Sequence, residues 1–393
     1  MGFLLHWAVF SVLLAGVVYL YSDVKHFEAK VVHLAPVQEF VGALAPKKLA
    51  GKVEYILKGK LQGPECIVLH KDAIYTGTLD GKIVKIVNNK IVKELRIAND
   101  PLCGGFSSFL SIEWFLDLYL QRRCTARGRW ECAGGKTRKI VVADAQLGIL
   151  VADFASGEVR QVISSKTYVG GLGQSVPGRP RDHRRTAIYS DMTSKCGEDK
   201  FGLCFLEMAE DGRLIKVNLN TGAFEVVADK IVSPNGVMLH PDKDSVLVTQ
   251  CILSRLIRVY FKGPKKGKVE VIADGLPGIV DNIREAPNGK TFWLAMPHAA
   301  DQKWRPLGQM LSEWPTVRHA LAYLPEKFRM ALLGVGSPKY NVLIEMDFDG
   351  KIVNSIHDPN NELDWVTHIE ESADGFLYLG SYVKDSIRRI KKL

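Results

Sequence analysis

The sequence predicts an all-β protein that folds as a six-bladed β-propeller. Six runs rich in β-branched and aromatic residues recur along its 393 residues, together with Asp-Gly, Ser-Gly and Thr-Gly turns. A spacing of about 45 residues fits four strands per blade. A pair of β-sandwiches would explain the turns but not six similar units. We assign the runs as inner strands: 73–77, 140–144, 187–191, 246–249, 291–295 and 376–380.

The first 22 residues are predicted to form a transmembrane signal anchor. Phe3 to Tyr21 contains no Asp, Glu, Lys or Arg, and as a helix it would span about 29 Å, close to the hydrocarbon thickness of a bilayer. A cleaved signal peptide and a buried globular helix are the alternatives. Residues 23–50 are then a linker and 51–393 the propeller, whose first strand is the alternating stretch 53–61.

Two segments interrupt the regular order of strands and turns. Residues 105–136 begin apolar and helix-like and end basic with cysteines, whereas 173–185 are rich in Pro, Gly and Arg. Neither has the pattern of a strand. Our hypothesis is that both reflect retained intron sequence or a frame slip, which sequencing of the transcript would test.

A third insertion, residues 304–333, has a helical pattern. Ser312 can cap a helix, and the apolar residues near helical spacing are Leu311, Trp314, Val317, Leu321, Leu324 and Phe328. We expect one or two helices on a face of the propeller. We favour a packing lid over a flap that faces a membrane or covers a substrate.

Charge and cysteine content exclude two classes of function. The net charge is +9, but the basic residues are scattered and form no stripe interleaved with aromatics, so no nucleic-acid partner is expected. The seven cysteines include no CxxC pair, which argues against structural zinc. One or two disulfides are compatible with an extracytoplasmic domain, and the sequence leaves their pairing open.

Two turns about one blade apart carry oxygen donors suited to a hard cation. The first is Ser233 to Gly236, with the amide of Asn235, and the second is Pro277 to Asn282, with Asp281 and Asn282. Because the blades of a propeller are radial, we expect both turns near the central axis. Carboxylate and amide oxygens are the ligands that calcium prefers. The sequence therefore predicts calcium, Ca2+, at the propeller axis.

Several segments together resemble the strictosidine synthase-like family of six-bladed propellers. They are GPEC at 63–66, ADAQLGILVAD at 143–153, DGRLIKVNLNTG at 211–222, SPNGVMLHPDKDSVLVTQ at 233–250, LPGIVDNIR at 276–284 and DGFLYLGSY at 374–382. The resemblance implies a type II single-pass membrane protein with a lumenal or extracellular propeller, in the endoplasmic reticulum or plasma membrane. It also implies axial calcium, as in the paraoxonases and regucalcin-like lactonases.

The resemblance assigns the metal ligands as Glu65, Asn235, Asp281 and Asn282. Another ligand of the family, an Asn ahead of the strand that here reads AIYSD, is missing from this chain. The plant condensing enzymes carry a catalytic glutamate where Thr367 stands, so strictosidine synthesis is not expected.

The predicted function is a membrane-anchored, calcium-dependent esterase of arylesterase or lactonase type, acting on a small ester or lactone. No GxSxG elbow occurs. The candidate general bases are His298, His357 and His368, of which we select His368 because it precedes the last inner strand. Asp144 and Asp191 are expected to cap turns. The alternative is a non-catalytic propeller that calcium stabilises and that binds a protein partner.

Overall fold

The computed structural model describes residues 6–7, 9–14, 16–17, 24–47, 52–97, 127–131, 139–144, 147–165, 173–176, 186–197, 200–334 and 340–392. Much of the predicted anchor lies outside these residues. The positions of it that are described have helical backbone. Within the described ranges, no helix combines the length and hydropathy that crossing a membrane requires.

Six antiparallel sheets of four strands form the body of the fold, which confirms the predicted six-bladed propeller. We number the blades by their innermost strand along the chain. From innermost to outermost, the strands are Ile67–His70, Ala73–Thr78, Lys82–Val87 and Lys90–Arg96 in blade 1; Arg127–Glu131, Lys139–Asp144, Gly148–Asp153 and Val159–Ile163 in blade 2; Gly173–Val176, Thr186–Asp191, Gly212–Asn218 and Phe224–Ile231 in blade 3; Pro234–Leu239, Ser245–Gln250, Arg255–Tyr260 and Val269–Ala273 in blade 4; Ile283–Glu285, Thr291–Leu294, Asn341–Asp347 and Ile352–Asp358 in blade 5; His368–Glu371, Phe376–Gly380, Ile387–Lys391 and Glu54–Ile56 in blade 6.

Blade 6 closes the circle with a strand from the other end of the sequence. Glu54–Ile56 pairs with the third strand of blade 6, with Glu54 opposite Arg389, and the guanidinium Nε of Arg389 donates a hydrogen bond to Glu54 Oε2 at 3.0 Å. The alternating stretch 53–61 therefore contains a strand, as predicted, and this strand joins the two ends of the propeller.

The six runs assigned as inner strands are the second strands of the blades. That detail of the prediction is wrong, because a second strand is paired on both edges and covered on both faces. Ser245–Gln250 is buried at every position, whereas the innermost strand of blade 5, Ile283–Glu285, has three residues. Such short innermost strands give little periodic signal.

Both irregular segments contribute backbone to the innermost strands. Arg127–Glu131 pairs with the second strand of blade 2, and Gly173–Val176 pairs with that of blade 3. The expectation that these segments lack strands is wrong at those positions. Hydrogen bonds to the neighbouring strand hold the backbone extended there, although the local sequence has no strand pattern. The remaining residues of 105–136 and 173–185 lie outside the described residues.

Apolar side chains fill the spaces between neighbouring blades. Each neighbouring pair encloses one buried cluster. Val141 of blade 2 packs with Tyr189 and Ile215 of blade 3, for example, and none of the three is more than 2% exposed. Burial of one such side chain contributes about 1.5–3 kcal/mol. The blades therefore act as one ring, and the axial ends of the strands are held in fixed positions.

Four helices lie at one end of the propeller. They are α1 at Phe201–Glu207, α2 at Leu307–Met310, α3 at Pro315–Ala322 and α4 at Glu326–Gly334. The last three, α2 to α4, occupy the insertion predicted at 304–333, where one or two helices were expected. Residues 24–36, the strap, pack against them through Val24 and Phe27. We call the strap and the four helices the cap.

The rest of the predicted linker follows the propeller surface. A 3-10 helix at Gly42–Leu44 buries Leu44 in the cluster between blades 4 and 5. Gln38 joins the end of blade 4, since its backbone N–H donates to Gly275 O at 2.8 Å. A two-stranded ribbon, Gly278–Ile279 with His298–Ala299, stands beside blade 5.

The cap covers the end of the propeller at which the innermost strands begin. In each blade the first two strands are antiparallel, so the end of the second strand lies beside the start of the innermost one; Pro234 pairs with Gln250, for example. The insertion that carries α1 follows the second strand of blade 3, and the one that carries α2 to α4 follows that of blade 5. Both therefore emerge at the same end.

One disulfide lies in the cap. Cys196 and Cys204 are bonded across eight residues and fasten α1 to the loop that leads into it. The sequence predicted one or two disulfides without their pairing. Cys103, Cys124 and Cys132 lie outside the described residues.

Candidate functional site

Three blades place the predicted metal ligands at the starts of their innermost strands. Glu65 stands two residues before Ile67–His70, Asn235 is the second residue of Pro234–Leu239, and Asp281 and Asn282 directly precede Ile283–Glu285. In blade 6, Thr367 holds the equivalent position before His368. Because the innermost strands surround the axis and point the same way, these residues share the end that the cap covers.

A threonine joins the Asn235 turn to Asp281. Thr249 Oγ1 accepts a hydrogen bond from the backbone N–H of Gly236 at 2.7 Å and donates one to the carbonyl oxygen of Asp281 at 2.7 Å. Gly236 leaves room for this approach: a Cβ there would lie 2.6 Å from the Asp281 oxygen and 2.8 Å from Ile283 N. Asn235 and Asp281 are therefore fixed next to each other by backbone packing.

Thr367 continues the connection from blade 5 through blade 6 to blade 1. The Asn282 side chain donates through Nδ2 to Thr367 O at 2.8 Å, and the backbone N–H of Thr367 donates to Gly380 O at 3.0 Å. Gly380 touches the backbone of Glu65, where an added Cβ would overlap the Glu65 carbonyl oxygen. All four predicted ligands therefore belong to one continuous arc of contacts.

The ligand side chains are buried. Glu65 and Asn235 are each 2% exposed, Asp281 5% and Asn282 4%. Asn235 Oδ1 accepts no hydrogen bond in the described part of the chain, and a buried acceptor in that state costs about 1–3 kcal/mol. A cation would remove this cost. Two carboxylates and two amides are the donor set of a calcium site, so the residues present fit this ion.

The donor set is poor in charged ligands. Within the described ranges, no three His, Cys, Asp or Glu side chains come together as a metal site. Segment 177–185, which leads to AIYSD, lies outside the described residues. It includes Asp182, the acidic residue of this segment that would have to replace the missing Asn ligand. The sequence itself shows that this segment contains no Asn.

Asp144 and Asp191 end the second strands of blades 2 and 3, at the same end of the axis. Asp144 caps a turn, as predicted, because its Oδ1 accepts from Leu147 N at 2.8 Å. Asp191 does not cap a turn; it is fully buried and pairs with Arg213, whose Nε donates to Asp191 Oδ2 at 3.0 Å. Burial raises the pKa of Asp191 to about 6.

His368, the predicted catalytic residue, is fully buried as the first residue of the innermost strand of blade 6. Its Nε2 lies 3.7 Å from Glu370 Oε2. Burial, together with the nearby charge of Arg284, lowers the pKa of His368 to about 4. His357 lies in the outermost strand of blade 5, where Phe40 and Tyr340 pack against it, far from the axis.

His298 belongs to a group of three rings beside the ligands. Its ring meets the Trp365 ring edge to face with centroids 4.2 Å apart, and Trp365 contacts Tyr382 with centroids 5.8 Å apart. His298 pairs with Ile279, two residues before Asp281, and Trp365 stands two residues before Thr367. All three rings are half-buried, and burial lowers the pKa of His298 to about 4. These rings can contact a bound molecule while the ligands hold a cation.

Sequence reasoning missed Trp365 and Tyr382. Each is a single aromatic residue outside the regular strands, where no periodic pattern marks it. Trp365 adopts a φ of 59°, which an aromatic residue rarely does. Such strain clusters at functional sites, but it is visible only in the structure.

A small apolar cleft separates α1 from blades 3 and 4. It begins at Ser233, two residues before Asn235, and its wall includes the Cys204 end of the disulfide. Its apolar lining includes Met192, Phe201, Phe205, Met208 and Ile252.

Two family models match the chain. The strictosidine synthase model matches residues 182–264, and the strictosidine synthase-like N-terminal model matches residues 46–86. The resemblance to the strictosidine synthase-like family is confirmed. The first match spans Asn235, and the second spans Glu65.

Several relatives carry the name adipocyte plasma membrane-associated protein. The Rattus norvegicus protein is 28% identical over 361 residues, which is 89% of this chain and 88% of the relative. The Salmo salar protein is 29% identical over 344 residues, covering 87% of this chain and 78% of the relative. The apolar N-terminal run and the SEWP and LPEKF segments of the 304–333 insertion predict a resemblance to this protein. The matches confirm it over most of both chains.

Solved structures with the same fold are more distant in sequence. A Xanthomonas campestris protein described as a gluconolactonase superposes with a TM-score of 0.53 at 11% identity, covering 92% of this chain and 98% of that one. An Agrobacterium tumefaciens regucalcin, described as a calcium-binding protein, gives a TM-score of 0.50 at 12% identity, covering 87% and 94%. At these identities the likeness establishes the propeller fold.

Proposed function

We propose that this protein is a membrane-anchored, calcium-dependent esterase of arylesterase or lactonase type that acts on small esters or lactones. The observation that carries the proposal is the arc of buried oxygen donors at Glu65, Asn235, Asp281 and Asn282, with Asn235 Oδ1 lacking a hydrogen-bond partner among the described residues. Neighbours in fold that are described as a gluconolactonase and a calcium-binding protein support the same reading.

The chemistry divides between the ion and the protein. A calcium ion bound by the four ligands would polarise the ester carbonyl and stabilise the charge that develops on its oxygen. The imidazole of His298 is neutral at pH 7 because burial lowers its pKa. A neutral imidazole is the form that accepts a proton from water, although its lowered pKa also makes it a weaker base. Trp365 and Tyr382 would hold a flat or apolar part of the substrate.

Of the three candidate bases, His298 and His368 remain, because His357 lies in the outermost strand of blade 5. His298 is half-buried beside the ligands, whereas His368 is enclosed within blade 6. The accessibility of His298 favours it for contact with substrate. Comparing His298→Gln with His368→Gln separates the two candidates.

Three separate observations support a membrane location with a lumenal or extracellular propeller. The apolar run from Phe3 to Tyr21 supports a signal anchor, and the relatives' name supports association with a membrane. The Cys196–Cys204 disulfide supports a lumenal or extracellular propeller, since such bonds persist in oxidising compartments.

Hydrolysis of phenyl acetate by the purified full chain tests the proposal. We expect calcium to be required, and we expect Asp281→Ala to reduce the rate on the order of 100-fold or more, because a charged ligand is lost. His298→Gln should reduce it by a similar factor. Asp349→Ala, in an exposed hairpin turn, is the matched control and should leave the rate unchanged.

Two results would contradict a calcium-dependent esterase. Calcium-independent hydrolysis would remove the metal from the mechanism. A calcium-dependent rise in melting temperature without hydrolysis of any ester or lactone tested would favour the alternative, a non-catalytic propeller that binds a protein partner.

A further inference from the structure

The cap is a single body tied together by one buried arginine. Arg318 is fully buried. Its Nη1 donates to the carbonyl oxygens of Leu206 at 2.8 Å and Glu207 at 3.1 Å, at the end of α1. Its Nη2 donates to Ser312 O at 2.9 Å and to the carbonyl oxygen of Lys30 in the strap. The strap, α1 and the α2–α3 turn therefore hold fixed positions relative to one another.

The strap enters this body at its first described residues. Val24 and Phe27 are 4% and 6% exposed and pack in the apolar cluster of α1, α3 and α4. The Phe27 ring contacts His319 of α3 at 5.7 Å. Further on, Val32 N donates to Ser312 O at 3.0 Å. The chain is thus fixed to the cap from Val24 onward.

The outer surface of the cap exposes large apolar side chains. They belong to the strap, to α2 to α4 and to the segments joining them, and each is between 38% and 62% exposed. They are Val31, Trp304, Met310, Trp314, Val317 and Phe328. Soluble proteins seldom expose several large apolar side chains on neighbouring elements. Trp and Phe are also the residues that amphipathic segments place in the interface of a bilayer.

The position of the cap relative to the predicted anchor selects the partner for this surface. Only two residues, Ser22 and Asp23, separate Tyr21, the last residue of the apolar run, from Val24, and the connection spans at most about 10 Å. If the run lies in a bilayer, the cap is held against the surface of that bilayer. A lipid surface is therefore the partner that the chain itself brings to the cap.

The charges around the apolar residues are compatible with a lipid surface. Lys25, Lys30, Lys303 and Lys327 are exposed on the cap, against the exposed acids Glu28 and Glu313. The Lys327 ammonium lies over the Phe328 ring at 5.1 Å from its centroid. Such lysines attract anionic headgroups when they lie near the surface.

We propose that the outer surface of the cap docks on the bilayer that holds the N-terminal segment, with Trp304, Trp314 and Phe328 at the boundary between headgroups and acyl chains. This inference rests on the membrane anchoring in the proposed function and not on the esterase activity. The ligand end of the propeller then faces the lipid surface.

Quenching of tryptophan fluorescence by brominated lipids tests the docking. The full chain is reconstituted in vesicles of phosphatidylcholine and phosphatidylserine with or without brominated acyl chains. We expect brominated lipids to quench a component of the emission that the Trp304→Phe/Trp314→Phe double variant lacks. Phe keeps the apolar surface while removing the fluorophore. Trp293→Phe is the control, because Trp293 is 1% exposed inside the propeller, and the quenched component should remain.

The outcomes separate the docking from the anchoring. A chain that does not float with vesicles overturns the anchoring and the docking together. A chain that floats, but whose quenched component is the same in the double variant, overturns the docking and leaves both the anchoring and the esterase standing. Cross-linking of vesicle-bound chains into dimers through the cap would assign this surface to a second copy and would also overturn the docking.

Discussion

The arc formed by blades 4, 5, 6 and 1 differs from the arc formed by blades 2 and 3 in what precedes the innermost strands. In the first arc, Asn235, Asn282, Thr367 and Glu65 stand at those positions, and hydrogen bonds or close backbone contacts join each to the next. In the second arc, the innermost strands come from the irregular segments, which supply none of the predicted ligands. The propeller thus closes as a ring without needing the same sequence in every blade, whereas the proposed calcium site depends on one arc.

The largest expected difference between the arcs is in the pH dependence of stability. His368, in the first arc, has its pKa lowered from 6.5 to about 4. The unfolded chain therefore binds a proton between about pH 4 and 6.5 that the native state does not, and stability rises with pH across this window by about 3 kcal/mol. Urea unfolding of wild type and His368→Gln measures this, and the variant should lose the part of the rise that His368 contributes, while His298, whose pKa is also lowered to about 4, keeps its own part.

Asp191, in the second arc, should act in the opposite direction. Its pKa is raised from 3.8 to about 6, so the native state keeps a proton that the unfolded chain has released, and stability falls as pH rises from about 4 to 6. Asp191→Asn should remove this fall, and the net rise with pH should become steeper. An unchanged pH profile would mean that the Asp191–Arg213 pair stays ionised throughout.

An alanine at Gly236 should damage the first arc without removing any ligand. The added Cβ would meet Asp281 O and Ile283 N at 2.6 and 2.8 Å, both backbone atoms that cannot turn aside. We expect a loss of about 2 kcal/mol in unfolding free energy and weaker calcium stabilisation, measured by denaturant titration with and without calcium. Stability equal to wild type would show that blades 4 and 5 have room to separate.

Removal of one hydroxyl gives the smallest effect. Thr249→Val deletes the hydrogen bonds to Gly236 and Asp281 at nearly constant volume, and we expect a loss of about 1 kcal/mol. Thr221→Val, in an exposed turn, is the matched control and should change stability by less. If both variants behave alike, the hydroxyl does not hold the two turns together.

The sequence predicted the fold and the ligand turns for different physical reasons. Regular Gly turns and β-branched runs recur in every blade, and Asn235, Asp281 and Asn282 stand beside Pro and Gly in short motifs. The hydrogen bonds of Thr249 and Thr367 could not be predicted, because a threonine in a strand has no sequence signal for a partner in another blade. Nor could the contact of Trp365 with His298, since 67 residues separate them and only the closed ring brings them together.

The central claim, a calcium ion held by one arc of the propeller, is tested most directly by calcium binding itself. We expect calcium to raise the melting temperature of the full chain, and we expect Asn235→Ala and Asp281→Ala to abolish most of that rise while Asp349→Ala keeps it. Isothermal titration should show affinity at least about 10-fold weaker in the two ligand variants. A wild-type chain that calcium does not stabilise, or equal stabilisation of all four proteins, would contradict the account.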